Sequence, residues 1–525
     1  MNNEYIDQLN DIGSLLSTEK NLDVLMEKIL ITAKKLTNCD AGTFYLVDED
    51  EQSLQFTVVQ TDSLNIKMGG TAEQIHWPNL KLYNEDGTKN RTNISVNSVL
   101  NDELINVVDV YKDTKYNFEG AKSFDEVTFY RTTSMLVVPM KDHENDIIGV
   151  LQLINKKDDD DNFVAFEKAD EKLITSLSSQ AAISITSSRL VVGLEALLNA
   201  FIKSIATAIG EKSKYTEGHI NRVAELSLMI AEAINEDKDG IYKDKNFSSD
   251  ELKQLDVAAW MHDIGKITTP EYVVDKSKKL ETIYDRINTV KVKFELIKKE
   301  KEISLLKKIL VEKDENIIAE LKSQYELELK ELDDDFDFIN ASNTGGEFMS
   351  DDKIKRIEQI ASKVLKVGDK EENLLDENEV YNLSIRKGTL TNEERDIINN
   401  HAKISFEMLD SLPFPKKLRD VPAMAGGHHE KISGKGYPFG LKGDEISFES
   451  RILAVADIFE ALTASDRPYK EPNSLNQSIK ILSFMIKDEE LDGDLVKFFV
   501  DKGLHLEYAE DNLMPEQIDE VTIKF

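Results

Sequence analysis

Two pairs of adjacent metal-ligand residue types, far apart in the chain, limit what it can fold into more than any other feature. His262-Asp263 is followed by Gly265 and Lys266, and His428-His429-Glu430 stands ahead of Gly436-Tyr437-Pro438. The chain has 8 histidines; His262, His428 and His429 lie in these motifs, His401 lies between them and His219 upstream. Imidazole with carboxylate suits divalent Fe, Mn, Zn or Ni. One such ion takes about four to six donors. These five histidines with Asp263 and one further carboxylate exceed that number and suit two ions. Two cations roughly 3.5–4 Å apart can hold the attacking and leaving oxygens of an in-line phosphoester displacement. The pattern points to a metal-dependent phosphohydrolase.

The ordered set HDIGK, His401, HHE and GYP, followed by SRILAVADIFEALTASDRPYK, resembles the HD-GYP family across residues 210–500. RKGTLTNEE at 386–394 and GLKGDEI at 440–446 add to the match. The resemblance implies an all-α HD-superfamily domain that hydrolyses cyclic-di-GMP to pGpG and/or GMP with two divalent metals, Fe or Mn. It implies His219, His262, Asp263 and Asp457 around the first ion, and Asp263, His401, His428 and His429 around the second. Asp263 is then the bridging ligand, and Lys266 assists substrate charge or proton transfer. Gly436, Tyr437 and Pro438 form a substrate-side loop, and Arg467 and Lys470 resemble the family's phosphate- and base-contacting cations. Some members hold a third metal through a Glu one turn before the first His; here that position is Tyr215 and Glu217 faces elsewhere, which favours two. The usual Asp before the first Gly of the GYP loop is Ser433, which leaves the ligands intact and bears on loop geometry and substrate preference.

Residues 1–190 read as α+β. Helical periodicity runs through Ile6–Leu16 and Leu22–Leu36, and strand-like runs follow at Ala41–Val47, Leu54–Val59, Ser134–Met140 and Ile147–Ile154. This order resembles a GAF sensor domain, an antiparallel sheet with helices. SMLVVPM followed by DIIGVLQLINKK is the most GAF-like stretch. Asn155, Lys156, Phe166, Asp170 and Glu171 match the signature of cyclic-nucleotide-type GAF domains, which implies a small-molecule ligand of that class. A structural role, with Lys156 and Asp170 pairing to brace the closing helix, is the favoured reading of those residues.

Residues 166–209 read as one long connecting helix with apolar residues recurring at three and four, which fits either a parallel homodimer or burial within one subunit. Residues 210–525 read as helical. An insertion at about 276–380 interrupts the family pattern, and its charged middle, residues 291–332, is expected to form a solvated helical hairpin. The run DDDD at 158–161 is a solvated loop rather than a metal site, because consecutive loop carboxylates do not converge.

Lys and Arg total 65 against 99 Asp and Glu, a net charge of −34, which makes duplex nucleic acid a poor partner. The one cysteine, Cys39, reads as a small core residue. MNNEYIDQLND does not resemble a secretory leader, and no uninterrupted apolar run reaches about 18 residues, so a cytoplasmic protein without membrane insertion is expected. Two other functions stay open: a phosphohydrolase of another nucleotide, such as a mixed cyclic dinucleotide, and a catalytically weak nucleotide-binding receptor.

Overall fold

The computed structural model describes residues 19, 21–48, 52–210, 216–346, 348–368, 370–465 and 472–523. They form two units, one ending at Leu198 and one beginning at Asn199. The helix expected over Ile6–Leu16 lies outside the described residues. In the first unit, Asn21 starts helix α1 (Leu22–Thr37) by accepting from the Asp23 and Val24 amides, and Asn38 ends it in the left-handed region at φ 48°. There follow β1 (Cys39–Val47), β2 (Ser53–Thr61), β3 (Ile66–Gly69), β4 (Leu80–Lys81), α2 (Ile94–Asn101), β5 (Ile105–Val107), α3 (Glu119–Thr128), β6 (Met135–Lys141), β7 (Ile147–Lys157), β8 (Phe163–Val164) and α4 (Lys168–Gly210). The sheet order is β3-β2-β1-β7-β6-β5, with β4 beside β2 and β8 beside β7. Each of these pairings is antiparallel.

Period-two alternation divides the sheet between two cores. Phe44, Leu136, Val138, Leu151 and Leu153 pack beneath Leu25, Ile29 and Ala33 of α1 and Ile174, Leu177 and Ile185 of α4. Their neighbours Tyr45, Met135, Val137 and Val150 face the other way, toward Ile94, Val96, Val110 and Phe118. The four expected strands correspond to β1, β2, β6 and β7.

Helix α4 spans Lys168–Gly210, close to the expected 166–209. Leu190, Val191, Leu194, Leu197 and Phe201 are exposed along it. By length and composition alone α4 is apolar enough to cross a membrane. A count of uninterrupted apolar residues missed this, because small Ala, Ser, Thr and Gly residues break the run without lowering its average much. A helix that packs on a partner has the same composition.

The second unit contains α5 (Thr216–Glu236), α6 (Ser249–Met261), a 3-10 turn (Ile264–Thr268), α7 (Glu271–Val274), α8 (Ile287–Val311), α9 (Glu315–Ser342), α10 (Asp351–Ala361), β9 (Val364–Val367), β10 (Lys370–Asn373), α11 (Glu377–Leu383), α12 (Asn392–Asp410), α13 (Val421–Gly426), α14 (Phe448–Thr463), α15 (Leu475–Lys487), α16 (Gly493–Asp501) and α17 (Leu504–Asn512). Helices α5, α6, α14, α15, α16 and α17 surround one core that includes Leu226, Ile230, Leu255, Phe459, Leu482 and Phe499.

The insertion differs from its expectation in two respects. Helices α8 and α9 form the charged hairpin, tied by Lys298–Asp333 at 2.6 Å and Lys301–Glu328 at 2.7 Å. Its base, however, has a core of its own, in which Val290, Phe294, Leu332 and Ile339 meet Ile357, Leu365 and Leu383. Strands β9 and β10 also pair as an antiparallel ladder, Val364 opposite Asn373 and Val367 opposite Lys370. Only the outer part of the hairpin is a solvated extension: Leu310 and Val311 near its turn are more than four-fifths exposed, whereas Val290 and Phe294 are buried.

Candidate metal centre

Helix α6 begins with a reciprocal cap between Ser248 and Glu251 and ends at Met261, so His262 is its C-cap residue. Asp263 then leaves helical geometry at φ −99° and ψ 7° before the 3-10 turn. That change of direction lets two adjacent side chains face one cluster. Gly265 makes it feasible: a Cβ there would lie 2.1 Å from the His401 carbonyl oxygen on α12. The Gly265 amide donates to Ser405 Oγ at 2.9 Å, and Ser405 Oγ donates to the His262 carbonyl at 2.7 Å. One hydroxyl therefore clamps the HDIGK turn onto the helix that carries His401.

The imidazoles share a common arrangement. Nδ1 of His262, His401 and His428 meets the carbonyl three residues earlier, on Ala259, Ile398 and Ala425, at 2.7, 2.6 and 2.6 Å. A carbonyl accepts only, so each Nδ1 carries the proton and each Nε2 presents a lone pair. All three Nε2 atoms are buried without a hydrogen-bond partner. Buried polar atoms are rarely left so, and divalent cations are partners that such buried imidazole lone pairs fit.

The donors form two groups, His219 with His262 and Asp263, and His401 with His428 and His429. Asp263 lies between them. Its Oδ1 is 3.2 Å from His401 Nε2, and its Oδ2 is 3.3 Å from His262 Nε2 and 3.8 Å from His219 Nε2. Asp457, on α14, places Oδ1 3.3 Å from His219 Nε2. Lys266 Nζ donates to Asp263 Oδ2 at 2.6 Å. Burial would raise the Asp263 pKa, but the positive charge of Lys266 and contacts with His262 and His401 hold it well below the usual carboxylate range. Burial also favours neutral imidazole, pushing His429 down to about 4 and His428 well below its ordinary value. His219 differs: burial opposes its charge, yet the hydrogen bonds it donates to Asp457 and Glu460 hold its pKa up at about 9.

Two functional carboxylates had no assigned role in the sequence reading. Glu460, fully buried one turn after Asp457, accepts at His219 Nδ1 and takes Arg222 Nε at 2.8 Å. It plays for His219 the part that backbone carbonyls play for the other rings. Its signal was a second acid on one face of an apolar helix, paired with the Arg of HxxRV. Glu430, the acid of HHE, accepts from the amides of Phe439, Gly440 and Leu441 at 2.7, 3.1 and 2.9 Å. It holds the GYP loop rather than a metal. Gly436 lets this loop pack closely on the preceding segment, since a Cβ there would lie 2.3 Å from the Lys431 amide nitrogen. The Tyr437 ring lies 4.8 Å from that of His429, next to Pro438.

Arg467, Lys470, Tyr215 and the side chain of Glu217 lie outside the described residues. In the first unit, Lys156 pairs with Asp170 Oδ2, which also accepts from the Glu167 amide at 2.7 Å. Asn155 bonds the backbone of Arg131 and Thr133, and Glu171 accepts from Asn106 Nδ2 at 2.9 Å, the same amide that donates to the carbonyl of buried Phe166. These five residues fasten strand β7 and the start of α4.

Residues 21–185 match the GAF domain, and residues 216–374 and 378–495 each match an HD domain. The chain therefore joins a GAF domain to an HD domain, and its motif order is that of the HD-GYP group. It is 38% identical over 99 residues to the cyclic di-GMP phosphodiesterase response regulator RpfG of Xanthomonas campestris, covering 19% of this chain and 25% of that protein. It is 41% identical over 98 residues to the 3'3'-cGAMP-specific phosphodiesterase 3 of Vibrio cholerae, covering 18% of this chain and 20% of that protein. The chain thus spans a quarter or less of the length of these two relatives. Among solved structures, the GAF domain of an Acinetobacter phosphoenolpyruvate-protein phosphotransferase aligns over 36% of this chain and 98% of that one, at 18% identity and TM-score 0.27.

Proposed function

We propose that this chain is a metal-dependent phosphodiesterase of cyclic dinucleotides, with cyclic-di-GMP as substrate and pGpG and/or GMP as product. The observation that carries the reading is Asp263, whose two oxygens each face a separate imidazole group. Two divalent ions, Fe or Mn, fit that donor set: His219, His262, Asp263 and Asp457 for one, and Asp263, His401, His428 and His429 for the other. Bound there, they would supply Lewis acidity toward water and phosphoryl oxygens. The chain's own residues do the positioning. Ser405 fixes the spacing of the two groups, Lys266 keeps Asp263 ionised and places an ammonium beside it, and Glu430 sets the Tyr437 loop. Arg467 and Lys470 would contact phosphate and base. A GAF ligand would shift the population of catalytic states, which requires unequal affinity for them. The exposed apolar residues of α4 support a homodimer.

The test is anaerobic turnover of cyclic-di-GMP by Fe- or Mn-loaded protein, with metal content measured alongside and Asp263→Ala as control. Product that disappears in Asp263→Ala is expected. Absence of turnover with two metals bound per chain would sink the assignment of cyclic-di-GMP. The likeness to a 3'3'-cGAMP-specific enzyme supports a second reading, a mixed cyclic dinucleotide, and that substrate belongs in the same assay.

A further inference from the structure

The face of the sheet turned away from α1 encloses a cavity of about 310 Å³. Its size is near the lower end of small-molecule sites. Ring pairs form part of the wall: Phe56 lies 5.2 Å from Trp77 in edge-on contact, and Phe124 lies 6.4 Å from Tyr130 in the same geometry. Four amide side chains, Gln60, Asn93, Asn117 and Gln152, also reach the cavity. Gln152 Oε1 accepts from Tyr45 OH at 2.9 Å, which fixes the orientation of that amide. Among the described residues, the lining contains no lysine, arginine or histidine and no acid.

Two carboxylates touch the lining from behind, and the first, Asp40, is paired with Lys157 and accepts from Tyr130 OH at 2.9 Å. Buried Asp125 accepts from the amide and hydroxyl of Thr132, a lining residue, at 2.8 and 2.7 Å. Helices α2 and α3 bring their N-termini to the cavity, but Asn93 already takes the Ser95 amide and Asn117 the Glu119 amide, both at 2.8 Å. A partly capped helix end attracts an anion weakly compared with the cost of desolvating a phosphate that meets no cation. The residues matching the cyclic-nucleotide signature, Asn155, Lys156, Phe166, Asp170 and Glu171, do not line the cavity.

We propose that this cavity binds an uncharged, planar nitrogen heteroaromatic of purine size, as free base or nucleoside, and discriminates against phosphorylated nucleotides. Aromatic faces hold the ring, and the amides of Gln60, Asn93 and Asn117 read its edge, Gln152 being already engaged by Tyr45 OH and Met135 Sδ. That such a ligand regulates turnover rests on the phosphodiesterase reading; its binding does not.

The experiment is titration calorimetry of the full chain in EDTA, which silences metal chemistry. The probes are adenine, hypoxanthine, adenosine, guanosine, cyclic AMP and cyclic GMP. At least one base or nucleoside is expected to bind, with either cyclic nucleotide at least about tenfold weaker. Base against nucleoside separates the two sources. Trp77→Ala, at a partly exposed position that the fold tolerates, should weaken binding by about tenfold or more with an unchanged melting temperature. Cyclic nucleotide binding as tight as nucleoside binding, no binding by any probe below about 1 mM, or binding indifferent to Trp77→Ala would each overturn the proposal. Cyclic-di-GMP turnover, assayed separately on metal-loaded protein, tests the phosphodiesterase reading without reference to this result.

Discussion

An isosteric substitution that removes one charge separates holding a metal ligand from being one. Glu460→Gln keeps shape and packing but removes the carboxylate that meets His219 Nδ1 and Arg222. Outer partners of metal-bound histidine typically contribute 10–100-fold in metal affinity. We expect a loss of about that size at the His219 group, with the His401 group retained; competitive metal titration reads both. Equal loss at both groups would contradict separate coordination. Gly265→Ala acts differently, because its new methyl meets a backbone carbonyl that cannot swing away. It should cost about 1–3 kcal/mol of stability by denaturant unfolding. That the ligand side chains converge was legible in the sequence: the His-Asp and His-His pairs marked two of the segments, and His219, His401 and Asp457 were assigned as ligands only through the family resemblance. The residues that aim those ligands were not. Ser405 and Glu430 act on backbone amides and carbonyls, whose positions no side-chain pattern reports.

Among the elements, the base of the insertion carries the most unusual ionisable group. Lys279 is fully buried and donates to the carbonyls of Leu383 and Ile385 at 3.1 and 2.8 Å. Burial, aided by Lys353, pulls its pKa down to about 8. Below that value the folded and unfolded states are both charged, and the folded state bears the full burial penalty. Between about 8 and the unfolded value near 10.4, the folded state sheds the proton first, so stability rises with pH. The difference in unfolding free energy between the parent chain and Lys279→Met, followed from pH 7 to 10.5, should therefore shift in the parent's favour; a flat difference would refute the buried charge. Strands β1, β2, β6 and β7 were legible from their alternation. Strands β9 and β10 were not, because each has four residues set in a charged, helix-favouring stretch.

At the scale of the whole molecule, α4 has an apolar surface that the described residues leave uncovered. Substituting both Leu194 and Leu197 by Glu places two charges there. If α4 pairs with a second copy, light scattering should show a dimer for the parent chain and a monomer for the double variant. A parent chain that is monomeric at micromolar concentration would exclude the pairing. The sequence made the α4 surface legible but not its occupant, since the same spacing serves a buried helix and a paired one.

The position of the insertion also bears on how the chain acquires its structure. His262 and Asp263 are synthesised well over a hundred residues before His401, yet they end clamped together by Ser405. Between them lies a helical hairpin whose contacts are mostly local, so it can form early and quickly. Its foot is closed by the Lys279 amide, which donates to the Asn343 carbonyl at 2.9 Å, and Lys276 joins it to α12 through Glu394 at 2.7 Å. The search that must bring the two halves of the centre together is thereby shortened from a long flexible loop to the few residues flanking a preformed block. Trimming only the solvated tip of the insertion should therefore leave the refolding rate unchanged, whereas replacing the whole insertion by a flexible linker of equal length should slow it.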